Sequence, residues 1–436
     1  MKKYSRVLSF ALSILTVFVW SVSYAFPINA QEADADNSTA ITDEDFLTVC
    51  GKKYVNRKGE TVKLCGTNLG GWLIQENWMC PTESEGANGQ YQLLQTLYSR
   101  FGQEEAERLI DIYEDNWITE YDLDIIKNLG FNCVRVPFWY RNFQSDDNGT
   151  WIRDDEGNID LSRLDWVVEE CGKRGIYVVL DLHGAVGFQG YNDHCGISKD
   201  GTMKSVFYGN DEQAVKNRQL TAELWQVIAA HFNNNPVVAM YDLLNEPMCD
   251  YPLLEMDHIK MWNALDELYD AVRSVDTGHI ITMCVTWQAF CIPNPNIYGW
   301  KNVTYQYHIY VENKILYFFG VLGTVILNHG VPTYMGEFKP TESATWDFVL
   351  GLYNKLGDSW TTWSYKGNWC SDWFVIGYDY NIGNDRSHEI NVNVATDSKE
   401  EIERKWSNIS TEKNDAFVLQ PTAQIQSKYA KEAINK

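Results

Sequence analysis

Basic residues are scarce in this chain: 36 Lys and Arg stand against 59 Asp and Glu over 436 residues, a formal net charge of -23. So acidic a surface repels phosphate backbones and anionic membranes, so nucleic acid is not an expected partner. None of the 10 cysteines forms a C-x-x-C pair and their spacing matches no zinc module, so no metal or cofactor is expected. Charged residues make up only 22% and apolar ones 45%, which excludes a disordered or low-complexity chain. Long apolar runs are missing after the amino-terminal segment. Even ILYFFGVLGTVIL at 315–327 is shorter than the ~20 residues that cross a bilayer, and it reads as a buried helix.

What is present begins with a basic start, MKKYSR, an apolar stretch over 7–22 and small-residue sites at Ala25 and Ala30. Residues 1–30 are therefore expected to be a secretory signal peptide, with the mature protein extracellular and not held at a membrane. Residues 31–45 are acidic and poor in large apolar side chains, as in a solvated linker, and one folded domain is expected over 46–436. Aromatic residues are abundant, with 17 Trp, 25 Tyr and 18 Phe. Most belong to a large core, and their faces also suit the apolar faces of sugar rings.

Short β-branched runs alternate with stretches of helical period. Strands are expected at 62–69, 132–137, 177–183, 237–245, 279–285, 303–310, 332–338 and 359–365. Helices are expected between most of them, with that after the fifth strand unplaced and two more at 398–406 and 424–434. Runs such as YVVLDL and VVAMYDLL are apolar on both faces, as strands of a covered parallel sheet must be. The fold class is therefore α/β, a (β/α)8 TIM barrel in a single catalytic domain.

Catalytic groups of such barrels sit where strands end. The chain offers Arg135 in NCVRVP, His183 in DLHG, Asn245 and Glu246 in DLLNEP, His308 and Tyr310 in YQYHIY, Glu337 in MGEF and Trp363 in TTWS. Glu246 after the fourth strand and Glu337 after the seventh face one another across the mouth. Two carboxylates flanking a bond are what glycoside hydrolysis requires. A cation such as Arg135 and a phenol such as Tyr310 would keep Glu337 ionised, and the charge of Glu337 would favour a protonated Glu246.

These motifs resemble glycoside hydrolase family 5, over nearly all of residues 54–370. The resemblance implies Glu337 as nucleophile and Glu246 as acid/base, with Arg135, His183, Asn245, His308, Tyr310 and Trp363 binding substrate. GTNLGGWLIQENW at 66–78 is similar to the GxNLGGWLxxEPW signature of the exo-1,3-β-glucanase branch, where the residue matching Glu76 binds the terminal glucose. DLHGAVGFQGYNDHCG at 181–196 resembles that branch's DLHGAPGSQNGFDNSG, which adds Asp193 and His194, the latter in place of Asn. Departures at Asn77, Tyr191, Asn192, Trp287 and Gln288 leave the leaving-group side open.

The expected activity is retaining, exo-acting hydrolysis of 1,3-β-glucan by a monomer whose partner is a β-glucan or β-glucoside. An endo-β-1,4-glucanase or mannanase, a β-glucosidase on lipid or plant glucosides, and a non-catalytic carbohydrate-binding protein are the competing readings. Cys195 with Cys249 and Cys80 with Cys370 are expected to approach each other as staples of the rim, with free thiols the alternative. Cys133, Cys171 and Cys284 are read as small buried residues.

Overall fold

The computed structural model describes residues 40–83, 89–197, 203–247, 255–284, 292–340, 343–367 and 389–435, with short backbone stretches at 374–375, 378–379 and 384–385. The signal-peptide segment, the start of the linker, Trp287, Gln288, Cys249 and Cys370 lie outside the described residues. Eight parallel strands close into a barrel in chain order: β1 Cys65–Asn68, β2 Cys133–Trp139, β3 Tyr177–Gly184, β4 Val238–Asp242, β5 Ile280–Cys284, β6 Val303–Ile309, β7 Thr333–Phe338 and β8 Ser359–Thr362. β8 pairs back onto β1 through Trp360 and Cys65, which seals the ring. Beside it, the β1–β2 pair leaves no room for a side chain at Gly66, where a Cβ would lie 1.7 Å from the Cys133 carbonyl oxygen.

The outer layer is α1 Glu120–Asn128, α2 Ser162–Lys173, α3 Glu212–His231, α4 Glu255–Arg273, α5 Pro295–Tyr298, α6 Lys314–Leu327, α7 Ser343–Leu356 and α8 Pro421–Ile434. Thr119 and Asp122 form a reciprocal capping box that starts α1. The unplaced helix after β5 is the single turn α5. Two helices not expected from the sequence, Gln90–Phe101 and Gln103–Trp117, fill the β1–α1 connection and are separated by Gly102 at φ +82°. The helix expected at 398–406 forms as Lys399–Trp406 and starts at Ser398, whose hydroxyl accepts from the Glu401 N–H at 3.3 Å.

Val62, expected at the start of the first barrel strand, belongs instead to a separate antiparallel sheet of Thr48–Cys50, Lys53–Val55 and Thr61–Val62. That sheet plugs the amino-terminal end of the barrel: Tyr54 packs with Leu47, Leu64, Ala239, Ile280 and Tyr334, and its hydroxyl meets Thr304 Oγ1 at 2.8 Å. Residues 41–45, assigned to the linker from composition, are ordered against the barrel, with the Ile41 N–H donating to the Gly172 carbonyl at 3.0 Å. The expectation of a buried helix at 315–327 is corrected. α6 forms there but buries only Tyr317, Val321 and Thr324, and it leaves Ile315, Leu316, Phe319 and Ile326 62–68% exposed. A helix apolar all round has no polar face to declare which side meets solvent, and the neighbouring α5 supplies only one turn of cover.

Candidate active site

Arg135 points into the barrel from β2 and is completely buried. Its Nη1 donates to Glu337 Oε1 at 2.7 Å and to Asn68 Oδ1 at 2.9 Å. Nε donates to Asp242 Oδ2 at 2.9 Å, while Nη2 donates to Asn245 Oδ1 at 2.8 Å and lies 3.0 Å from Asp181 Oδ1. One guanidinium thus ties side chains from β1, β3, β4 and β7 together. Buried charge needs such pairing and hydrogen bonding to persist. Burial lifts the Asp242 carboxyl to about 7 although Arg135 pulls it down, and Gln306 Nε2 donates to it at 2.6 Å. Asn68, Asp181, Asp242 and Gln306 were not singled out from sequence. Their signal was a polar side chain at an inward position of an otherwise apolar strand.

The Glu246 carboxylate stands just beyond β4, where the Asn245 N–H donates to the Leu182 carbonyl at 3.0 Å and Glu246 takes the left-handed φ of 40°. His308 and Glu337 face each other across the β6–β7 pair, where the register shifts between Tyr307 and His308. Such a shift re-aims the side chains that follow it. His308 Nδ1 lies 2.7 Å from Glu246 Oε1 and 3.5 Å from Glu337 Oε2, and the Tyr310 hydroxyl donates to Glu337 Oε2 at 2.8 Å. One ligating atom each from Glu246, His308 and Glu337 lie within 4.8 Å of one another. These three could hold a cation, but both carboxylates already have protein partners. His194 Nδ1 lies 3.5 Å from the other Glu246 oxygen. Burial, assisted by the positive charges of Arg135 and His183 and opposed by Glu337, pushes His308 down to about 4, so its ring is neutral near pH 7.

The third group surrounds His183. Burial disfavours its charge, yet Asp181 at 2.6 Å from Nδ1, with Glu76 beyond Nε2 at 3.8 Å, raises it to about 10. Glu76 is buried and accepts from the Trp78 indole at 2.6 Å. Trp363 stacks parallel to the His183 ring with centroids 5.3 Å apart. The glycine pair of GTNLGGW makes this possible: a Cβ on Gly70 would press the Trp363 ring at 3.1 Å, and Gly71 holds φ +76°. Gln189 stitches two strand ends together by donating to the carbonyls of His183 at 2.6 Å and Asn245 at 3.0 Å. Asp193 is buried in the same loop. All eleven residues singled out from sequence are described, and the contacts above bring nine of them, all except Asp193 and Trp363, into one chain of polar contacts around Arg135. The expected bond from Cys195 to Cys249 is not formed: Cys195 is a free thiol that donates to the Asn192 carbonyl at 2.9 Å. Cys133, Cys171 and Cys284 are buried, as expected.

The sequence profile of Cellulase (glycosyl hydrolase family 5) matches residues 98–368, well over half of the chain. The chain belongs to glycosyl hydrolase family 5. Its closed eight-stranded barrel is the fold of that family. Among curated relatives it is similar to a beta-xylosidase of Phanerodontia chrysosporium, 33% identical over 270 residues that make up 61% of this chain and 52% of that one. It is also similar to a glucan 1,3-beta-glucosidase of Candida oleophila, 30% identical over 237 residues and 52% of each chain. The chain thus spans about half the length of these two. A glucan 1,3-beta-glucosidase I/II of Saccharomyces cerevisiae matches more widely, 25% identical over 84% of this chain and 82% of that one. A crystal structure of endogalactoceramidase shares the fold with a TM-score of 0.57 at 18% identity, covering 83% of this chain and 84% of that one.

Proposed function

We propose that this family 5 hydrolase is a secreted, retaining β-glucosidase-type enzyme that removes glucose from the non-reducing end of 1,3-β-glucan. One observation carries the reading: a Glu246 oxygen and a Glu337 oxygen lie within 4.8 Å of one another. Retaining glycosidases hold their carboxyl groups about 5–5.5 Å apart, whereas inverting ones need about 6.5–9.5 Å to admit water between them. In the first step Glu337 attacks the anomeric carbon, the bond to the leaving oxygen breaks, and Glu246 delivers its proton to that oxygen. In the second step Glu246 takes a proton from water, the water oxygen bonds to the anomeric carbon, and Glu337 leaves.

Arg135 and Tyr310 each donate to one oxygen of Glu337, which holds the carboxylate oriented. Neutral His308 shares its Nδ1 position with Glu246 and adds no fixed charge that would bias the shuttle. Asn245, fixed through Oδ1 by Arg135 and with its amide nitrogen 3.3 Å from His183 Nε2, keeps a second N–H to meet the sugar 2-hydroxyl, a contact that strengthens in the transition state. Glu76, pinned by Trp78, supports an exo-acting pocket that grips hydroxyls of a terminal glucose. The names of the yeast relatives favour the 1,3-β linkage, and that of the Phanerodontia protein makes a pentoside the competing substrate. The basic start and apolar stretch before Ala25 support export.

The test is hydrolysis of laminari-oligosaccharides, cello-oligosaccharides and aryl β-xylosides, with the product anomer followed by NMR. Glucose of β configuration is expected from the first minutes on the laminari series. An α product would overturn the double displacement, and shortening of long polymers before glucose is seen would overturn the exo mode. Glu337→Gln is expected to cut hydrolysis by at least about a thousandfold while sugar binding survives.

A further inference from the structure

A cavity of about 760 Å³ is lined by none of the eleven site residues. It is enclosed by the helices Gln90–Phe101 and Gln103–Trp117, the starts of α1 and α2 and the loop after β2. Its volume falls within the range of about 300–1,000 Å³ that small-molecule sites occupy. Trp72 and Trp139 lie in its buried floor, and Trp166 meets Trp72 edge to face at 5.6 Å. Asp111 and Asp115, with side chains 64% and 63% exposed, mark its open rim.

The chemistry of the lining discriminates between ligands. Neutral donors and acceptors line it beside the carboxylates, among them Gln90, Asn142 and Ser162. Seven carboxylates against two guanidinium groups line the same space, which repels an anion and calls for hydroxyl donors. An organic cation would have to compete with Arg163, which already pairs with Asp111, Glu114 and Asp115. A neutral polyhydroxylated ring both donates and accepts, and it offers an apolar face to indole.

We infer that this cavity is a second glycan-binding site, taking a short stretch of neutral gluco-oligosaccharide. The choice of glucan rests on the function proposed above. The two sites share a wall: the Trp139 indole nitrogen lies within 3.1 Å of where a Cβ on Gly184 or Gly196 would stand, and those glycines flank the loop that carries Asp193 and His194. On the other side Gln90, in the cavity lining, accepts from the Gln75 N–H at 2.6 Å, one residue from Glu76. A chain held there would keep the enzyme on its polymer while the active site works on an end.

The test separates the two claims. Enzyme is first treated with 2-deoxy-2-fluoro-β-glucosyl fluoride, which esterifies Glu337 as fluoride leaves; absence of that adduct by mass would count against the proposed mechanism alone, and titration would then use Glu337→Gln. Laminaritetraose titrated calorimetrically into the blocked enzyme is expected to bind at one remaining site. Trp166→Ala is expected to weaken that binding at least tenfold and to raise KM on soluble laminarin, while kcat/KM on an aryl β-glucoside, which reports an intact fold and active site, stays unchanged. No binding to the blocked enzyme, binding indifferent to Trp166→Ala, or binding of spermidine in place of the sugar would overturn the inference.

Discussion

His183 and His308 lie on the two sides of Arg135 and titrate in opposite directions, for reasons that can be read from their neighbours. His183 is raised from its ordinary 6.5 to about 10 by Asp181 and Glu76 against the cost of burial, so its charge contributes stability that is complete below about pH 6.5 and lost as the pH climbs through about 10. His308 is lowered from 6.5 to about 4 by burial first and by Arg135. Above pH 6.5 it is neutral in folded and unfolded chains alike and contributes nothing to the slope. As the pH falls from about 6.5 toward 4, the unfolded chain takes up a proton that the native one refuses, and stability drops. Urea unfolding midpoints measured from about pH 4.5 to 9.5 should therefore show a flatter alkaline limb in His183→Asn and a flatter acid limb in His308→Asn. Slopes identical to wild type in both variants would mean that the imidazole environments differ from those described.

Among the elements, β7 shows how closely strand packing and site are coupled. A Cβ on Gly336 would sit 1.9 Å from Gln306 Oε1, and Gln306 is fully buried while donating to Asp242. Gly336→Ala must expel that amide, leaving Asp242 short of a donor in an overpacked interior, so a loss of about 2–5 kcal/mol in stability is expected. Calorimetric melting would check it. Gly336→Ala/Gln306→Ala should recover part of the loss, and a single variant as stable as wild type would disprove the contact. All eight strands were legible because runs apolar on both faces have few alternatives. The ends were not: Val62 alternates as well in the basal sheet as it would in β1. The helix pair at 90–117 has a readable period in Leu93, Leu94 and Leu97 and then Ala106, Leu109, Tyr113 and Trp117, but it sits in a connection where a loop is the ordinary expectation. At the site, residues at strand ends were legible because chemistry singles them out. Asp181 and Asp242 were not, because inside a strand a carboxylate has meaning only once its cation is known.

For the molecule as a whole, solubility rests on the net charge of -23 and is challenged at one place, the outer face of α6. Since Ile315, Phe319 and Ile326 project into solvent, replacing all three by Gln should cost within about 0.5 kcal/mol each and should lower retention on a phenyl column, because exposed apolar patches drive association. A fall in melting temperature well beyond that would show the face to be covered in solution. Among the described residues, no helix is long and apolar enough to cross a membrane.

Glu246 stands just beyond β4 and Glu337 on β7, on either side of the chain between α4 and β5, while Arg135 belongs with the first and reaches the second. On the proposed mechanism, a polypeptide severed at that point would yield one fragment carrying the proton shuttle Glu246 with Arg135 and another carrying the attacking Glu337 with His308 and Tyr310. Each half alone would be mute toward a chromogenic glucoside. Colour would develop only when both reassemble, so the enzyme is suited to report on the meeting of any two proteins fused to its halves.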